Sequence, residues 1–293
     1  MFIATLIASE TLSAGDLSAA IDRIAAVGCA PATSAWIEPE KAVDILFGVS
    51  PDAARKALEG VFEGVDVVVQ SVEGREKKLL VADMDSTMIT VECIDELADY
   101  AGIKPQIAAI TEAAMRGELD FEGALDARVA LLKGLDEAVI ERCLAERVTI
   151  MPGAVALVRT MRARGATAIL VSGGFTRFAE PVAERIGFHR AIANRLELGD
   201  GVLTGTVAKP VVGSDTKLQT LLAARAELGL LPEQTLAVGD GANDLAMVQE
   251  AGLGVAYHAK PIVAAAAAAR IDHGDLSALL YAQGIARDDW VTA

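Results

Sequence analysis

The sequence predicts an α/β fold in which helices cover a parallel sheet, preceded by a smaller α+β unit. Three short and largely apolar runs support the sheet, at Leu79–Ala82, Ala166–Val171 and Thr235–Val238. Runs that are apolar on both faces are typical of strands buried in a parallel sheet. Each run ends abruptly in carboxylate, hydroxyl or glycine residues. Because ligands collect at the carboxyl ends of such strands, we expect the functional site there.

The first 74 residues predict four strands and two helices. The predicted strands are Phe2–Ile7, Thr33–Ile37, Val43–Val49 and Val65–Val72, and the predicted helices are Asp16–Val27 and Pro51–Leu58. This order is that of a ferredoxin-like α+β unit, and it resembles the ACT-type modules that bind amino acids. A purely packing or dimerising role explains the same pattern. The charged stretch 73–78 predicts a linker, so we expect domains at 1–74 and 75–293.

Residues 91–147 predict a helical insertion between the first two strands of the large domain. Apolar residues recur at helical spacing in Ile94, Leu97 and Ala98, and again in Ala124, Val129 and Leu132. An insertion at this position would form a cap over the strand ends. Such a cap excludes bulk water and contributes to substrate selection.

The remaining elements follow from helix and turn signals. They are a helix from Pro152 to Arg164, a hairpin over 194–205 that turns at 199–201, a helix capped by Ser214 and Asp215, a strand over 252–257, and a helix from Pro261 to Arg270. We expect Ser172, Gly173 and Gly174 to open a helix directly after their strand.

Charge composition excludes several classes of partner. The chain carries 26 basic and 41 acidic residues, a formal net charge of -15. Nucleic acids and anionic membranes bind basic surfaces, so we expect neither as a partner. A phosphate-bearing substrate would need local positive charge from a cation, a lysine or backbone N–H groups.

Hydropathy and cysteine usage predict a cytoplasmic protein. Mean hydropathy is +0.39, yet no stretch reaches the roughly 18 apolar residues that a spanning helix needs. The apolar start has no basic region before it, so we expect a first strand and not a signal peptide. Cys29, Cys93 and Cys143 are odd in number and widely spaced, which indicates reduced thiols and argues against a zinc site.

The pair Asp83 and Asp85 is the main candidate for catalysis. A carboxylate with a reference pKa near ~3.9 is ionised at neutral pH, so Asp83 could attack an electrophile without a helper base. Side chains two residues apart on an extended segment share a face, which would let Asp85 act as proton donor at the same centre.

Other strand ends add candidate ligands. Ser172, Gly173 and Gly174 offer a hydroxyl and open backbone N–H groups, and Lys217 offers a cation near a helix start. Asp240 follows the third run, so it would converge with Asp83 and Asp85 on one oxygen-rich site. Such a donor set, with no histidine, favours Mg²⁺ over zinc.

The motifs Asp83–Thr87, Ser172–Gly174, Lys217 and Gly239–Asp244, in this order, resemble the haloacid dehalogenase-like superfamily of phosphatases. The resemblance implies a Rossmann-like core and an aspartyl-phosphate on Asp83. It implies further roles for the remaining motif residues. Asp85 would be the acid and base and a backbone ligand of Mg²⁺, Asp240 a metal ligand, Asp244 and Asn243 metal supports, and Ser172, Gly173, Gly174 and Lys217 the phosphate-binding groups.

The segment 121–134, together with Glu92, resembles the cap motif of the phosphoserine phosphatase family. That resemblance implies that Glu92 pairs with the substrate ammonium and that Arg128 makes a forked contact to its carboxylate. Met115 and Phe121 would wall the pocket. The implied reaction is hydrolysis of O-phospho-L-serine to L-serine, the last step of serine biosynthesis.

Two alternatives stay open at this point. The same chemistry could transfer the phosphoryl group to an alcohol such as homoserine, or the first domain could make the protein chiefly an amino-acid sensor. An apolar sheet edge in residues 1–74 also favours a homodimer.

Overall fold

The computed structural model describes residues 1–115 and 118–292, without the side chain of Met115. Within these residues, six parallel strands form the central sheet in the order β12-β11-β10-β5-β6-β7. Their bounds are β5 Leu79–Ala82, β6 Thr167–Phe175, β7 Arg190–Asn194, β10 Thr235–Gly239, β11 Leu253–Tyr257 and β12 Ala269–Ile271. The predicted α/β core with a parallel sheet is therefore confirmed.

Strand β5 is central because it pairs with β6 on one side and β10 on the other. All four of its residues are buried. Leu80 and Ala82 pack into the core beneath the cap, while Leu79 and Val81 pack beneath the opposite helices. Burial on both faces explains the unbroken apolar run, and it brings the ends of β5, β6 and β10 to one edge.

The N-terminal residues form an antiparallel sheet in the order β2-β3-β1-β4. Its elements are β1 Phe2–Ala8, α1 Ala14–Ala26, β2 Pro31–Glu38, β3 Ala42–Phe47, α2 Pro51–Leu58 and β4 Val65–Ser71. Ile24, Leu58 and other apolar side chains from both helices cover one face of the sheet. The ferredoxin-like order is confirmed, whereas amino-acid binding and the boundary at residue 74 stay predictions.

The other face of this sheet contacts the last part of the chain. The Asp66 carboxylate accepts hydrogen bonds from the N–H groups of Asp272, His273 and Gly274 at 2.8–3.4 Å. Arg75 donates to the Asp44 carboxylate and to the Ala282 carbonyl oxygen. Gln70 also donates to that carbonyl oxygen. The junction combines these polar contacts, many of them to the backbone of residues 272–282, with apolar packing of Ile7, Ala42 and Val68 in the large core.

Helices occupy the predicted insertion. They are α3 Cys93–Tyr100, α4 Lys104–Met115, α5 Phe121–Ala130 and α6 Ala138–Glu146. The other helices and strands are α7 Ala154–Ala163, α8 Thr176–Ile186, β8 Leu196–Gly199, β9 Val202–Val207, α9 Ser214–Glu227, α10 Leu245–Glu250, α11 Pro261–Ala266 and α12 Ala278–Ala282. Hairpin β8–β9 turns at Asp200 and Gly201, both with positive φ, as its glycine-rich sequence predicts.

Three local predictions were wrong. Helix α11 ends at Ala266 and not at Arg270, because Ala269 and its neighbours pair with β11 as strand β12. Helix α9 begins at Ser214, so Gly213 occupies its N-cap position. Gly173 and Gly174 belong to the end of β6, and α8 begins at Thr176.

In the part of the chain that is described, none of the helices has the length and apolar character to span a bilayer.

Candidate active site

A cavity of about 660 Å³ lies where β5, β6 and β10 end beneath helices α3, α4 and α5. Most of the predicted site residues line it. These are Asp83, Asp85, Glu92, Phe121, Arg128, Ser172, Gly173, Gly174, Asp240 and Asn243. The structure therefore brings together side chains that are far apart in the sequence.

Asp83 follows β5 and is held by both backbone and side chain. Its N–H donates to the Val238 carbonyl oxygen at 3.0 Å, which continues the pairing with β10. Its Oδ1 lies 2.6 Å from Lys217 Nζ. Burial, and then the negative charge of Asp244, raises the pKa of Asp83 well above its usual range, while Lys217 opposes that shift.

Lys217 is fully buried and bridges two carboxylates. Its Nζ lies 2.6 Å from Asp83 Oδ1 and 2.6 Å from Asp244 Oδ1. Burial would lower the pKa of Lys217, but the two carboxylates raise it above the ordinary lysine value. Lys217 therefore lies beside the predicted nucleophile, and its direct partners are the carboxylates of Asp83, which lines the cavity, and Asp244.

Asp85 is positioned by the start of α3. Its Oδ1 accepts a hydrogen bond from the Cys93 N–H at 3.1 Å. A Cβ on Gly174 would lie 2.7 Å from Asp85 Oδ2, so a larger residue there would force that carboxylate to move. Burial, followed by the negative charge of Glu92, raises the pKa of Asp85 to about 7. A carboxyl group with this pKa can donate and accept protons near neutral pH.

The end of β6 supplies neutral polar groups beside Asp83. The Ser172 hydroxyl is buried and its Oγ accepts a hydrogen bond from the Gly174 N–H at 2.8 Å. The Gly173 backbone lies against the cap, since a Cβ there would come 3.2 Å from the Phe121 ring. Glycine at both positions keeps the backbone accessible from the cavity.

Asp83, Asp240 and Asp244 form a cluster suited to a metal ion. One carboxylate oxygen of each lies within 4.8 Å of the others. A single buried ammonium, that of Lys217, contacts two of them. Asp240 accepts only a 3.3 Å hydrogen bond from Thr87 among the described side-chain contacts, and burial with the charge of Asp244 raises its pKa to about 6. The excess of negative charge and the oxygen donors fit a hard divalent cation.

The cap wall carries the predicted recognition residues. Glu92 precedes α3, and its Oε1 accepts a 2.7 Å hydrogen bond from the Ser86 hydroxyl. Arg128 lies on α5 and its Nε donates to the Ala124 carbonyl oxygen at 3.1 Å. Burial lowers the pKa of Arg128, and the charges of Asp95 and Glu92 oppose that change. Met115 ends α4, and its side chain lies outside the described residues.

Sequence reasoning assigned no individual role to four polar residues at the site. Ser86 and Thr87 bind the carboxylates of Glu92 and Asp240. Asp95 and Lys260 line the cavity, and the Lys260 N–H donates to the Asp240 carbonyl oxygen at 3.1 Å. The sequence contained a signal for Lys260, because this residue comes shortly after the end of β11, just as the other site residues come at the ends of their strands.

Comparison with known proteins agrees with this geometry. The sequence pattern of the haloacid dehalogenase-like hydrolase family matches residues 80–249. The chain is 45% identical over 246 residues to a phosphoserine phosphatase of Streptomyces coelicolor, covering 83% of this chain and 60% of that protein. It is also 45% identical over 221 residues to a phosphoserine phosphatase of a Polaromonas species, covering 74% of this chain and 94% of that protein.

The fold comparison extends to the N-terminal sheet. A crystal structure of a haloacid dehalogenase family hydrolase from Salmonella enterica serovar Typhi superposes with a TM-score of 0.84 at 29% identity. It covers 96% of this chain and 97% of that one. The chain spans only about 60% of the length of the Streptomyces relative, so its likeness to that protein concerns a part. From the family match, the strand-end motifs and the shared fold, we conclude that this chain belongs to the haloacid dehalogenase-like hydrolases.

Proposed function

We propose that the chain hydrolyses O-phospho-L-serine to L-serine and phosphate through an aspartyl-phosphate on Asp83. One observation carries the proposal: a single cavity places the Asp83 carboxylate beneath both a carboxylate, Glu92, and a guanidinium, Arg128. A phosphorylated amino acid offers the matching phosphate, ammonium and carboxylate. The relatives named as phosphoserine phosphatases support the same choice. They do not favour transfer to homoserine or a chiefly sensing role.

In the first step, an Asp83 oxygen attacks phosphorus and the bond between phosphorus and the seryl oxygen breaks. Asp85 donates a proton to the departing seryl oxygen, for which its pKa of about 7 is suited. Ser172 and the Gly173 N–H would hold phosphoryl oxygens beside Asp83, since all three residues line the cavity. Lys217 favours the ionised form of Asp83 and would orient it through its 2.6 Å contact.

In the second step, water attacks the phosphorus of the aspartyl-phosphate and the bond to Asp83 breaks. Asp85, now a carboxylate, takes the proton from that water. Phosphate leaves and Asp83 is regenerated as a carboxylate. The cap wall would exclude other water from the cavity while the phosphoaspartate exists.

We also propose Mg²⁺ as the resident cation, held by the Asp83 and Asp240 carboxylates and the Asp85 carbonyl oxygen. Asp244 and Asn243 would support it. When bound, the ion would neutralise charge on the phosphoryl group. The excess of carboxylates over ammonium groups at the strand ends supports this proposal.

The deciding experiment measures phosphate release from O-phospho-L-serine, phosphothreonine, a sugar phosphate and p-nitrophenyl phosphate, each with Mg²⁺ and with excess chelator. We expect metal-dependent turnover that favours phosphoserine by orders of magnitude. Equal and slow turnover of every ester would contradict the substrate assignment. Full activity in chelator would contradict the metal.

Two further expectations concern the protein as a whole. Edge strand β2 carries a partly exposed Trp36, and this supports a homodimer formed by strand pairing. Light scattering on the intact chain would show twice the chain mass, and a monomer would contradict the proposal.

Cys29, Cys93 and Cys143 are all buried free thiols, which supports a reducing compartment such as the cytoplasm.

A further inference from the structure

An ion cluster joins the core to cap helix α5. Lys209 lies in the loop between β9 and α9, and its Nζ lies 2.7 Å from Glu122 Oε1. The same ammonium lies 2.9 and 2.8 Å from the two carboxylate oxygens of Asp126. Glu122 and Asp126 are one helical turn apart on α5. One cation of the core therefore contacts two successive turns of one cap helix. We call these three residues the Lys209 cluster.

Helix α5 also carries the cap side chains that face the phosphate site. Phe121 and Arg128 line the cavity from this helix. The Phe121 ring rests on glycine backbone of the core, since a Cβ on Gly173 or Gly213 would come 3.2 or 3.0 Å from it. The position of α5 thus determines how far Arg128 lies from Asp83.

The loop that carries Lys209 is itself fixed to β6. Asn194 is buried, and its Nδ2 donates to the carbonyl oxygens of Gly173 at 2.8 Å and Val212 at 3.0 Å. Its Oδ1 accepts a hydrogen bond from the Val212 N–H at 2.7 Å. A continuous set of contacts therefore runs from Gly173 through Asn194 and the loop to Lys209, and from there to α5.

We propose that Lys209 is a positioning residue that holds Arg128 at a set distance from the phosphate site and so contributes to substrate selectivity. This rests on the proposed function, in which Arg128 binds the substrate carboxylate. A substrate that carries both phosphate and carboxylate depends on that distance. A phosphate ester without a carboxylate does not, so the two classes respond differently when the cluster is broken.

The test compares Lys209→Met with the unchanged protein on two substrates, O-phospho-L-serine and p-nitrophenyl phosphate. Exposed ion pairs are individually weak, but Lys209 makes two of them, with Glu122 and Asp126. We therefore expect kcat/KM for phosphoserine to fall about five- to tenfold, mainly through KM. The kcat/KM for p-nitrophenyl phosphate should stay within about twofold. The double variant Glu122→Gln/Asp126→Asn should show the same loss. Adding Lys209→Met to that double variant should cause no further loss.

Arg177 provides a matched control. It lies on core helix α8, and its Nη2 is 3.3 Å from Glu141 and 3.7 Å from Glu137 at the start of α6. It also joins core and cap with one cation and two carboxylates, but none of the cavity-lining residues among those described comes from α6. Arg177→Met should leave both kcat/KM values unchanged. An equal loss of phosphoserine selectivity in this variant would overturn the specific role of α5.

The outcomes separate the two proposals. If the unchanged protein shows no preference for phosphoserine, the proposed function fails, and the role of Lys209 fails with it. If the preference is present and Lys209→Met retains it, only the Lys209 proposal is overturned. Thermal unfolding of each variant would verify folding, which these exposed substitutions should not disturb.

Discussion

The cavity has a floor formed by strand ends and a wall formed by cap helices, and the two regions differ in how their side chains are held. In the floor, Ser172, Lys217 and Asp244 are at most 1% exposed, and each is fixed by contacts within the core. In the wall, Glu92 is exposed and Arg128 half-buried. Under the proposed function, the chemical step takes place on the region that more contacts hold, and substrate recognition on the region that fewer contacts hold.

This comparison predicts that the largest effect comes from the nucleophile in the floor. Asp83→Asn keeps the shape of the side chain but removes the attacking carboxylate, so we expect turnover of phosphoserine to fall by about 10⁴-fold or more. The rate of phosphate release from O-phospho-L-serine measures this loss of turnover. Asp95→Asn, the same change at a cavity-lining acid of the wall, should cost less than about tenfold. A similar loss in both variants would remove the distinction between floor and wall.

A second prediction concerns stability. Lys217→Met would leave the buried carboxylates of Asp83 and Asp244 without their cation, so the free energy of unfolding should fall by about 3–5 kcal/mol. Urea unfolding in the presence of chelator measures the change. Lys260→Met removes an exposed lysine at the same cavity and should change stability by less than about 0.5 kcal/mol. A loss below about 1 kcal/mol for Lys217→Met would show that the floor tolerates unpaired charge.

The neighbouring glycines of β6 contrast floor and wall within two residues. Alanine at Gly174 would bring its Cβ 2.7 Å from Asp85 Oδ2, and we expect kcat to fall about 100-fold. Alanine at Gly173 would meet the Phe121 ring at 3.2 Å, and because that ring can shift with the cap, we expect a loss of only about threefold. Steady-state kinetics on both variants gives the comparison. A larger loss of kcat in Gly173→Ala than in Gly174→Ala would mean that the cap is the more rigid region.

A further prediction concerns the guanidinium of the wall. Arg128→Lys keeps the positive charge but loses the forked geometry, so kcat/KM for phosphoserine should fall about tenfold. Turnover of p-nitrophenyl phosphate should not change. Arg142→Lys, the same substitution on cap helix α6, where Arg142 lies 4.8 Å from the Tyr100 ring centre, is the control. Equal losses on both esters would place Arg128 among the groups that bind phosphate.

The sequence predicts the floor well because it is built from strand ends. A buried parallel strand has a strong apolar signature, and the residue after it must lie at the sheet edge, so Asp83 and Asp240 could be placed from the pattern alone. Ser172 could be placed in the same way because it ends the apolar run, although β6 itself continues to Phe175. Lys217 shows the limit of this reasoning. Helical spacing places it in the first turn of α9, but its side-chain partners depend on how α9 packs against β5 and β6.

Contacts between elements distant in sequence leave no local signature. The alanine-rich segment after Pro261 favours a helix, yet pairing with β11 converts Ala269–Ile271 into a strand. The Lys209 cluster is likewise invisible in the sequence, because a single lysine after a hairpin is usually a solvated surface residue. Such features depend on tertiary packing and not on periodicity.

The junction of the N-terminal sheet with residues 272–282 has a consequence for synthesis of the chain. Asp66 and its partner Asp272 are separated by 206 residues. Because a chain emerges from the ribosome with its N-terminal part first, the sheet can fold long before its partner exists. The polar groups at this junction, including Asp66, Gln70 and Arg75, then remain hydrated until residues 272–282 have been translated. Attachment of this sheet to the α/β core therefore follows translation of residues 272–282.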